Sequence, residues 1–260
     1  IFFVSNSKMF LVLSDVNLIL KNITFKNAHD DMGGAIYSVD GCDIVDCTFI
    51  NCSATEGGAV YNGRMYGCKF INCSAVEGGA IYSGTGYDCT FINCSAAKGG
   101  AIYFYGIFGI YNSCFENCHA NDTAGAIHDV VGANEINNCT FTDCTAAEYA
   151  GAVYNGQAIN STFVNCTSGN GYAVKECSLF NCTFIDCTAG YTTALEVRLT
   201  KDDIAVNENT TINFVTVRQD DDSILNVIDG TVTVDVDGTV YTTDIVGGYG
   251  SYTLSNLSPS

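Results

Sequence analysis

Gly57-Gly-Ala-Val-Tyr61, Gly78-Gly-Ala-Ile-Tyr82 and Gly99-Gly-Ala-Ile-Tyr103 are near copies of one short string, and their alanines are 21 residues apart. Outward from these three, the string recurs once before them and, in weaker form, four times after them. The eight alanines of the series are residues 35, 59, 80, 101, 126, 152, 173 and 194. A steady period of this length is the sequence signature of a repeat architecture.

A second string keeps the same period, because a phenylalanine is followed two places later by Asn or Asp in every repeat. The segments between the two strings are too short, and too rich in Gly, Thr and Asn, for helical repeats, and they lack a leucine ladder. Two or three short strands per period fit one coil of a parallel β-helix. The sequence therefore predicts an all-β fold: a right-handed, single-stranded parallel β-helix of about eight coils over residues 1–199.

Each column of the repeat samples one environment eight times, so its composition predicts its orientation. The Phe column and the aliphatic column after Ala are predicted to point inward. The column after the aliphatic one tolerates charge and is predicted to point outward. The Asn/Asp column has the parity of the core, so we expect a hydrogen-bonded ladder inside the coil. Its members are Asn27, Asn51, Asn72, Asn93, Asn117, Asp143, Asn165 and Asp186.

The fifteen cysteines fall mainly in two columns, two residues before and three residues after each Phe. Ser161 and Ile23 replace Cys in the first column, and Ala28 replaces it in the second, which indicates a small filler. Three readings stay open: free buried thiols, disulfides between coils, and a metal site. Stacked Cα atoms have a suitable spacing for disulfides, but parallel side chains leave the Cβ atoms too far apart. No CxxC pair with His partners supports a metal.

Residues 200–260 change character. Thr211–Val217 is predicted to be a strand, and Thr231–Val236 and Thr239–Ile245 are predicted to form a hairpin around Asp237-Gly238. We expect a truncated immunoglobulin-like β-sandwich here. Two acidic clusters, Asp202-Asp203 and Asp220–Asp222, could bind calcium, although adjacent loop carboxylates are more often only solvated.

Composition limits the partners. The chain has 260 residues, 28 acidic and 10 basic side chains, and a net charge of −18. This balance argues against nucleic acid and anionic membranes, which require Lys/Arg clusters. No apolar run reaches the length of a membrane span, so no membrane insertion is expected in this segment. The start lacks an initiator Met and a signal peptide, and we expect the chain to be part of a longer protein.

The alternation of Gly78-Gly-Ala-Ile81 with strings such as Phe49-Ile-Asn-Cys52 resembles the repeats of polymorphic outer-membrane proteins. With the C-terminal module, it more closely resembles the adhesin-like surface proteins of methanogenic archaea, over residues 20–197 and 204–260. The resemblance implies a secreted, pectate-lyase-like β-helix at the cell surface that acts in cell adhesion, without a cofactor. Its partners would be extracellular glycans or surface proteins of other cells.

Two features suit binding. The outward tyrosine column offers an amphipathic strip for carbohydrate or protein. The two longest coils carry insertions at residues 103–111 and 129–135, and such excursions commonly form the binding face of a repeat. The predicted ligand-binding residues are Tyr37, Tyr61, Tyr82, Tyr103, Phe104, Tyr105, Phe108, Tyr111 and Tyr154.

Catalysis is the less favoured reading, and we expect no enzyme and no catalytic residue. The lone Glu56, Glu77, Glu116 and Glu148 are predicted to lie at turns, away from outward strand positions of adjacent coils. The histidines lie in different coils without acidic partners at the repeat spacing. The alternatives are a β-helix polysaccharide lyase or glycoside hydrolase, and a passive stalk that projects other domains.

Overall fold

The structure is a computed structural model. It describes residues 2–4, 9–14 and 18–187 and, further along the chain, residues 193–199, 210–218, 230–236, 239–245 and 249–254. The chain divides into two compact units, residues 1–190 and 191–260. A membrane-spanning helix is absent from the part of the chain that the structure describes.

The first unit is a parallel β-solenoid of about eight turns. Its strands form three sheets, in which each strand pairs in parallel with the equivalent strand of the next coil. The phenylalanine sheet contains Phe2–Val4, Thr24–Lys26, Thr48–Ile50, Lys69–Ile71, Thr90–Ile92, Cys114–Glu116, Thr140–Thr142, Thr162–Val164 and Thr183–Ile185. A short sheet contains Ser95–Lys98, His119–Thr123, Thr145–Ala146 and Thr167–Ser168.

The third sheet is wide, because each coil contributes two successive strand positions to it. The first position is occupied by Phe10–Val12, Ile36–Ser38, Val60–Tyr61, Ile81–Tyr82, Ile102–Phe104 and Ile127–Asp129. The second is occupied by Ile19–Lys21, Asp43–Val45, Arg64–Tyr66, Thr85–Tyr87, Gly109–Tyr111 and Glu135–Asn137. In the last two coils the two positions merge into the continuous strands Val153–Ile159 and Val174–Phe180.

The core is built from stacked identical side chains. The rings of Phe49, Phe70 and Phe91 lie directly above one another, with centroids 4.9 Å apart and nearly parallel planes. The stack extends from Phe25 to Phe184. The aliphatic column that includes Ile81 and Ile102 is equally buried. Both inward columns are therefore confirmed, and the burial of so much aromatic and aliphatic surface is the main stabilising contribution to the rod.

The predicted interior position of the Asn/Asp ladder is wrong. Asn51, Asn72 and Asn93 are exposed, and they adopt left-handed backbone conformations with φ of 53–54°. A left-handed residue interrupts the alternation of a strand, so the parity argument fails there and the following Cys points inward instead. The ladder itself exists on the outer surface: the Asn72 amide donates to Asn51, and the Asn93 amide donates to Asn72, each at 3.2 Å.

All eight ladder positions have a left-handed φ, between 49° and 55°, and all eight are exposed. Asn51 also donates to Asn27, and Asn165 donates to Asp143. A second outer column that the sequence reasoning missed turns the chain before each Phe; in it, Asn138 donates to Asn112, and Asn181 donates to Asn160. The ladder residues are Asn27, Asn51, Asn72, Asn93, Asn117, Asp143, Asn165 and Asp186; the last has φ of 52°.

All fifteen cysteines are free, and twelve of them are buried. The thiols behind the Asn column donate to the backbone of the coil below, as Cys94 does to the Phe70 carbonyl at 3.7 Å. In the other column Ser113 takes the same place and donates to the Tyr111 carbonyl at 2.8 Å. In most coils the two columns therefore hold a small side chain that donates a hydrogen bond at a turn; Ile23 and Ala28 of the first full coil are the apolar exceptions. Burial raises the pKa of the Cys118 and Cys144 thiols and raises that of Cys139 to about 12.

The second unit is antiparallel. The predicted strand lies within Thr210–Arg218, and the predicted hairpin pairs Gly230–Val236 with Thr239–Ile245. Thr210–Arg218 also pairs with Thr193–Leu199 and Tyr249–Leu254. The eighth repeat string, at Ala194, therefore forms an antiparallel strand and not a coil, because its short alternating pattern suits either kind of pairing. The acidic clusters at 202–203 and 220–222 lie outside the described residues.

Candidate interaction surface

One column of aromatic side chains runs along the outer face of the wide sheet; we call it the aromatic ladder. Neighbouring ring centroids are 4.9–5.3 Å apart, and the interplanar angles are 27° or less. A histidine continues the stack where the tyrosine series is interrupted in the sequence. The ladder is formed by Tyr37, Tyr61, Tyr82, Tyr103, His128 and Tyr154.

Stacking within the ladder leaves few ring faces for a ligand. Tyr82 and Tyr103 are each only 8% exposed, because the neighbouring rings cover their faces. Burial raises the pKa of both hydroxyls, and the nearby carboxylate of Glu77 adds to the effect. Inside the ladder, these residues stabilise the rod by stacking on one another. The binding role of the column stays a prediction.

A second tyrosine column, which the sequence reasoning did not identify as a column, lies on the other half of the wide sheet. The rings of Tyr66, Tyr87 and Tyr111 stack with centroids 5.4 Å and 4.9 Å apart. The Tyr111 hydroxyl donates to the Glu135 carboxylate at 3.3 Å, and this contact raises its pKa in addition to burial. The period of 21 residues between Tyr66 and Tyr87 was the signal that could have revealed this column.

The two predicted insertions lie in neighbouring coils, at the corner between the tyrosine columns. We call residues 105–108 and 130–134 the loop pair. Its anchor is Asp129, which is fully buried and accepts hydrogen bonds from the Val131 and Asn134 backbone amides at 2.9 and 3.0 Å. The buried Asn134 side chain donates to Asp129 and to the Gly106 carbonyl, and it accepts from the Phe108 amide. Buried and satisfied polar groups of this kind fix loop geometry.

The loop pair presents apolar side chains to solvent. Ile107 is 78% exposed, Tyr105 65%, Val131 50% and Val130 43%. Tyr105 also lies beside the ladder, 6.4 Å from the Tyr82 ring centroid. A rigid projection that exposes neighbouring apolar side chains is typical of an interaction site.

Two predicted binding residues of the first insertion are less accessible. Phe104 is fully buried, so its assignment to a binding site is wrong. Ile102 points inward and Tyr103 outward, and strand alternation then turns Phe104 back into the core. Phe108 is half-buried and packs against Phe104, with ring centroids 6.1 Å apart. The predicted ligand-binding residues did not include Ile107, Val130 and Val131. The two long insertions in the repeat could have indicated these exposed residues.

A charged column flanks the ladder. Glu56, Glu77 and Lys98 are bridge partners in three successive coils, and all three are half-buried. Glu56 and Glu77 lie outside the named strands, as predicted, but their bridge places them at equivalent positions of adjacent coils. Burial, reinforced by Glu77, raises the pKa of the Glu56 carboxyl. In the described part of the chain, no three His, Cys, Asp or Glu side chains gather into a metal site.

Comparison with known proteins adds no family to this description. No protein-family model, no curated protein and no solved structure matches the chain.

Proposed function

We propose that the chain is the binding segment of a secreted, adhesin-like protein at the cell surface, and that it attaches to glycans or surface proteins of other cells through the loop pair. One observation carries this proposal: Tyr105, Ile107, Val130 and Val131 are exposed on loops that a buried Asp129–Asn134 network holds in place. Preordered loops lose little conformational entropy on binding, which favours affinity. A stiff stack of coils suits the display of such a surface at a distance from a cell.

Finer features of the architecture belong to the same proposal. A right-handed coil agrees with the strong preference of parallel β-connections for that hand. The pectate-lyase-like class and an immunoglobulin-like arrangement of residues 200–260 rest on the sequence resemblance, as does the extracellular location. The antiparallel pairing in the second unit is compatible with an immunoglobulin-like module.

Binding to glycan arrays and to whole cells tests the proposal. The double variant Ile107→Ser/Val131→Ser removes apolar surface from the loop pair without touching the core. We expect it to lose most of the binding. The control is Val76→Ser, which changes a side chain of similar exposure, 53%, on the short-sheet side of an earlier coil. If the native chain binds no glycan and no cell, the passive stalk becomes the better description.

A glycoside hydrolase is a second candidate, favoured by the pairing of Glu56 with Glu77. Strands of neighbouring coils are about 4.8 Å apart, which is near the separation of about 5–5.5 Å between carboxyl groups in retaining hydrolases. The raised pKa of Glu56 has the direction expected of a general acid. Release of reducing ends from plant and microbial polysaccharides, lost in Glu77→Gln, would support this function; no release by the native chain would dismiss it.

A further inference from the structure

We infer that the loop pair takes a protein partner whose contact surface is apolar at its centre and carries Lys and Arg at its rim. This inference rests on the proposed function and names the partner class for that same site. Two independent properties of the surface lead to it: the chemistry of the exposed side chains and the distribution of charge along the rod.

The exposed side chains of the loop pair favour protein over carbohydrate. Ile107, Val130 and Val131 have no hydrogen-bonding groups, so they cannot replace the water that a sugar hydroxyl loses on contact. The ladder tyrosines that could stack on sugars are instead stacked on one another, as in the pair Tyr82–Tyr103, and Tyr105 is the one exposed tyrosine of the loop pair. Apolar side chains on a fixed projection match the apolar centre of a protein–protein interface.

The charge along the coils of the loop pair is mainly negative, with Lys98 and Lys175 at the two ends of the stretch. Residues 99–174 contain no Lys or Arg, but they contain six acidic residues: Glu116, Asp122, Asp129, Glu135, Asp143 and Glu148. Glu116, Asp143 and Glu148 are exposed, and Glu135 directly follows the second loop. Earlier coils are different, because Lys21, Lys26, Arg64 and Lys69 lie there. A predominantly anionic stretch attracts a basic partner and repels sulfated, sialylated or uronic-acid polymers.

Glu135 is the carboxylate best placed to meet a basic rim. It is half-buried, and its two oxygens accept hydrogen bonds from the Tyr111 hydroxyl at 3.3 Å and the Asn137 amide at 2.7 Å. These contacts hold the charge next to the apolar loops. A fixed carboxylate forms a stronger and more directional ion pair with Lys or Arg than a freely rotating one.

The inference can be tested with an unbiased probe, a phage-displayed library of random 16-residue peptides selected on the immobilised full chain. We expect the recovered peptides to combine aromatic or aliphatic residues with Lys or Arg. Ile107→Ser/Val131→Ser should weaken the best peptide by about tenfold or more. Glu135→Gln should weaken it less and should reduce its dependence on salt between 50 and 300 mM NaCl, since one screened ion pair is lost.

Two controls keep the result interpretable. Glu116→Gln removes an exposed charge from the phenylalanine sheet. Val76→Ser removes an exposed apolar group on the short-sheet side of an earlier coil. Neither variant should change peptide affinity. Heparin and a neutral mannan are measured on the same sensor. Recovery of acidic peptides, or recovery of no peptide together with mannan binding that needs Ile107, overturns the basic protein partner while leaving attachment through the loop pair intact. If no peptide and no polysaccharide binds, both the basic protein partner and attachment through the loop pair are contradicted.

Discussion

Cys114 differs from the other cysteines because a serine has taken its place in the buried column. Ser113 points inward and donates to the Tyr111 carbonyl, so Cys114 falls one residue later and is exposed on the phenylalanine sheet. The remaining thiols face the core or its margin, with Cys182 and Cys187 half-buried near the last described coil. The reactive form of a thiol is its thiolate, which burial disfavours.

We therefore predict that a thiol-specific reagent such as DTNB at pH 8 modifies about one of the fifteen cysteines rapidly in the native chain. Cys114→Ser should abolish this fast phase, Cys182 and Cys187 should react slowly, and guanidinium chloride should expose all fifteen. Fast modification of several thiols in the native variant would contradict the burial of the two columns.

His128 is the one residue of the aromatic ladder whose charge can change near neutral pH. It lies between Tyr103 and Tyr154, with ring centroids 5.0 and 5.1 Å away, and its buried Nδ1 has no hydrogen-bond partner. Burial lowers its pKa to about 4; Lys98 lowers it further, while Asp122 and Asp129 act in the opposite direction. The unfolded chain would protonate this ring near pH 6.5.

Because the unfolded state binds the proton first, His128 destabilises the fold as the pH falls from about 6.5 to about 4, and it has no effect above that range. At pH 4 this effect lowers the free energy of unfolding by about 2–3 kcal/mol. His128→Tyr matches the other ladder positions and should remove this part of the pH dependence, which urea unfolding at pH 7, 5.5 and 4.5 would measure. If the free energy of unfolding falls equally with pH in the two proteins, the His128 ring accepts a proton in the folded state as readily as in the unfolded state.

At the scale of the coil, the two glycines of each repeat string have different roles. The first is left-handed, as at Gly78 with φ of 64°, and Ala124 and Ala150 occupy the same place in later coils with φ of 63° and 58°. The second lies against the next coil: a Cβ atom on Gly79 would be 2.0 Å from the Gly100 carbonyl oxygen and 2.6 Å from that of Ser95. Backbone on both sides cannot move aside without opening the stack.

Gly79→Ala should therefore be the more damaging of a matched pair. We expect it to destabilise the rod by about 3 kcal/mol or more, since overpacking against the next coil must separate two coils. A Cβ atom on Gly78 would lie 2.1 Å from the Ile81 carbonyl oxygen of its own coil. Gly78→Ala should nevertheless cost less, because Ala124 and Ala150 occupy this place in later coils with a similar φ. Chemical denaturation of both variants gives the comparison. Equal destabilisation would mean that the contact between coils is not the reason for the second glycine.

The sequence predicts side-chain orientation correctly in those columns of the repeat that hold the same kind of side chain in every coil. Phe49, Phe70 and Phe91, and the aliphatic residues after each alanine, were placed correctly because alternation along a straight strand decides their orientation. It failed at Asn51, where a left-handed φ reverses the alternation, and no local rule marked that residue as a corner. It also failed for the burial of Tyr82, which depends on lateral neighbours 21 residues away in the chain. Strand alternation predicts that Phe104 is buried. It was assigned to the binding site because it lies in an aromatic insertion.

At the scale of the molecule, the two units have separate pairing. The strands of the coils pair only in parallel with other coils, and those from Thr193 onward pair only in antiparallel fashion with one another, as far as the described strands extend. A solenoid of this kind is stabilised mainly by contacts between nearest neighbours. The boundary between residues 190 and 191 therefore separates no pair of hydrogen-bonded strands among those that the structure describes.

We predict that residues 1–190, expressed alone, fold and give the same thermal transition as the corresponding part of the full chain. Circular dichroism and calorimetry of both forms measure this. Ile107→Ser/Val131→Ser in the fragment serves as a surface control that should leave the transition unchanged. A fragment that remains unfolded would show that the second unit supplies stability that the coils lack.

The free thiols have a mechanical consequence. With no covalent tie between Cys73 and Cys94 or their counterparts, only hydrogen bonds and ring stacking oppose a force applied along the chain. Under tension, the terminal coil would peel away first and release 21 residues, which lengthens the molecule by about 70 Å when fully extended. Such a stack of coils would yield stepwise under tension and absorb work at each step.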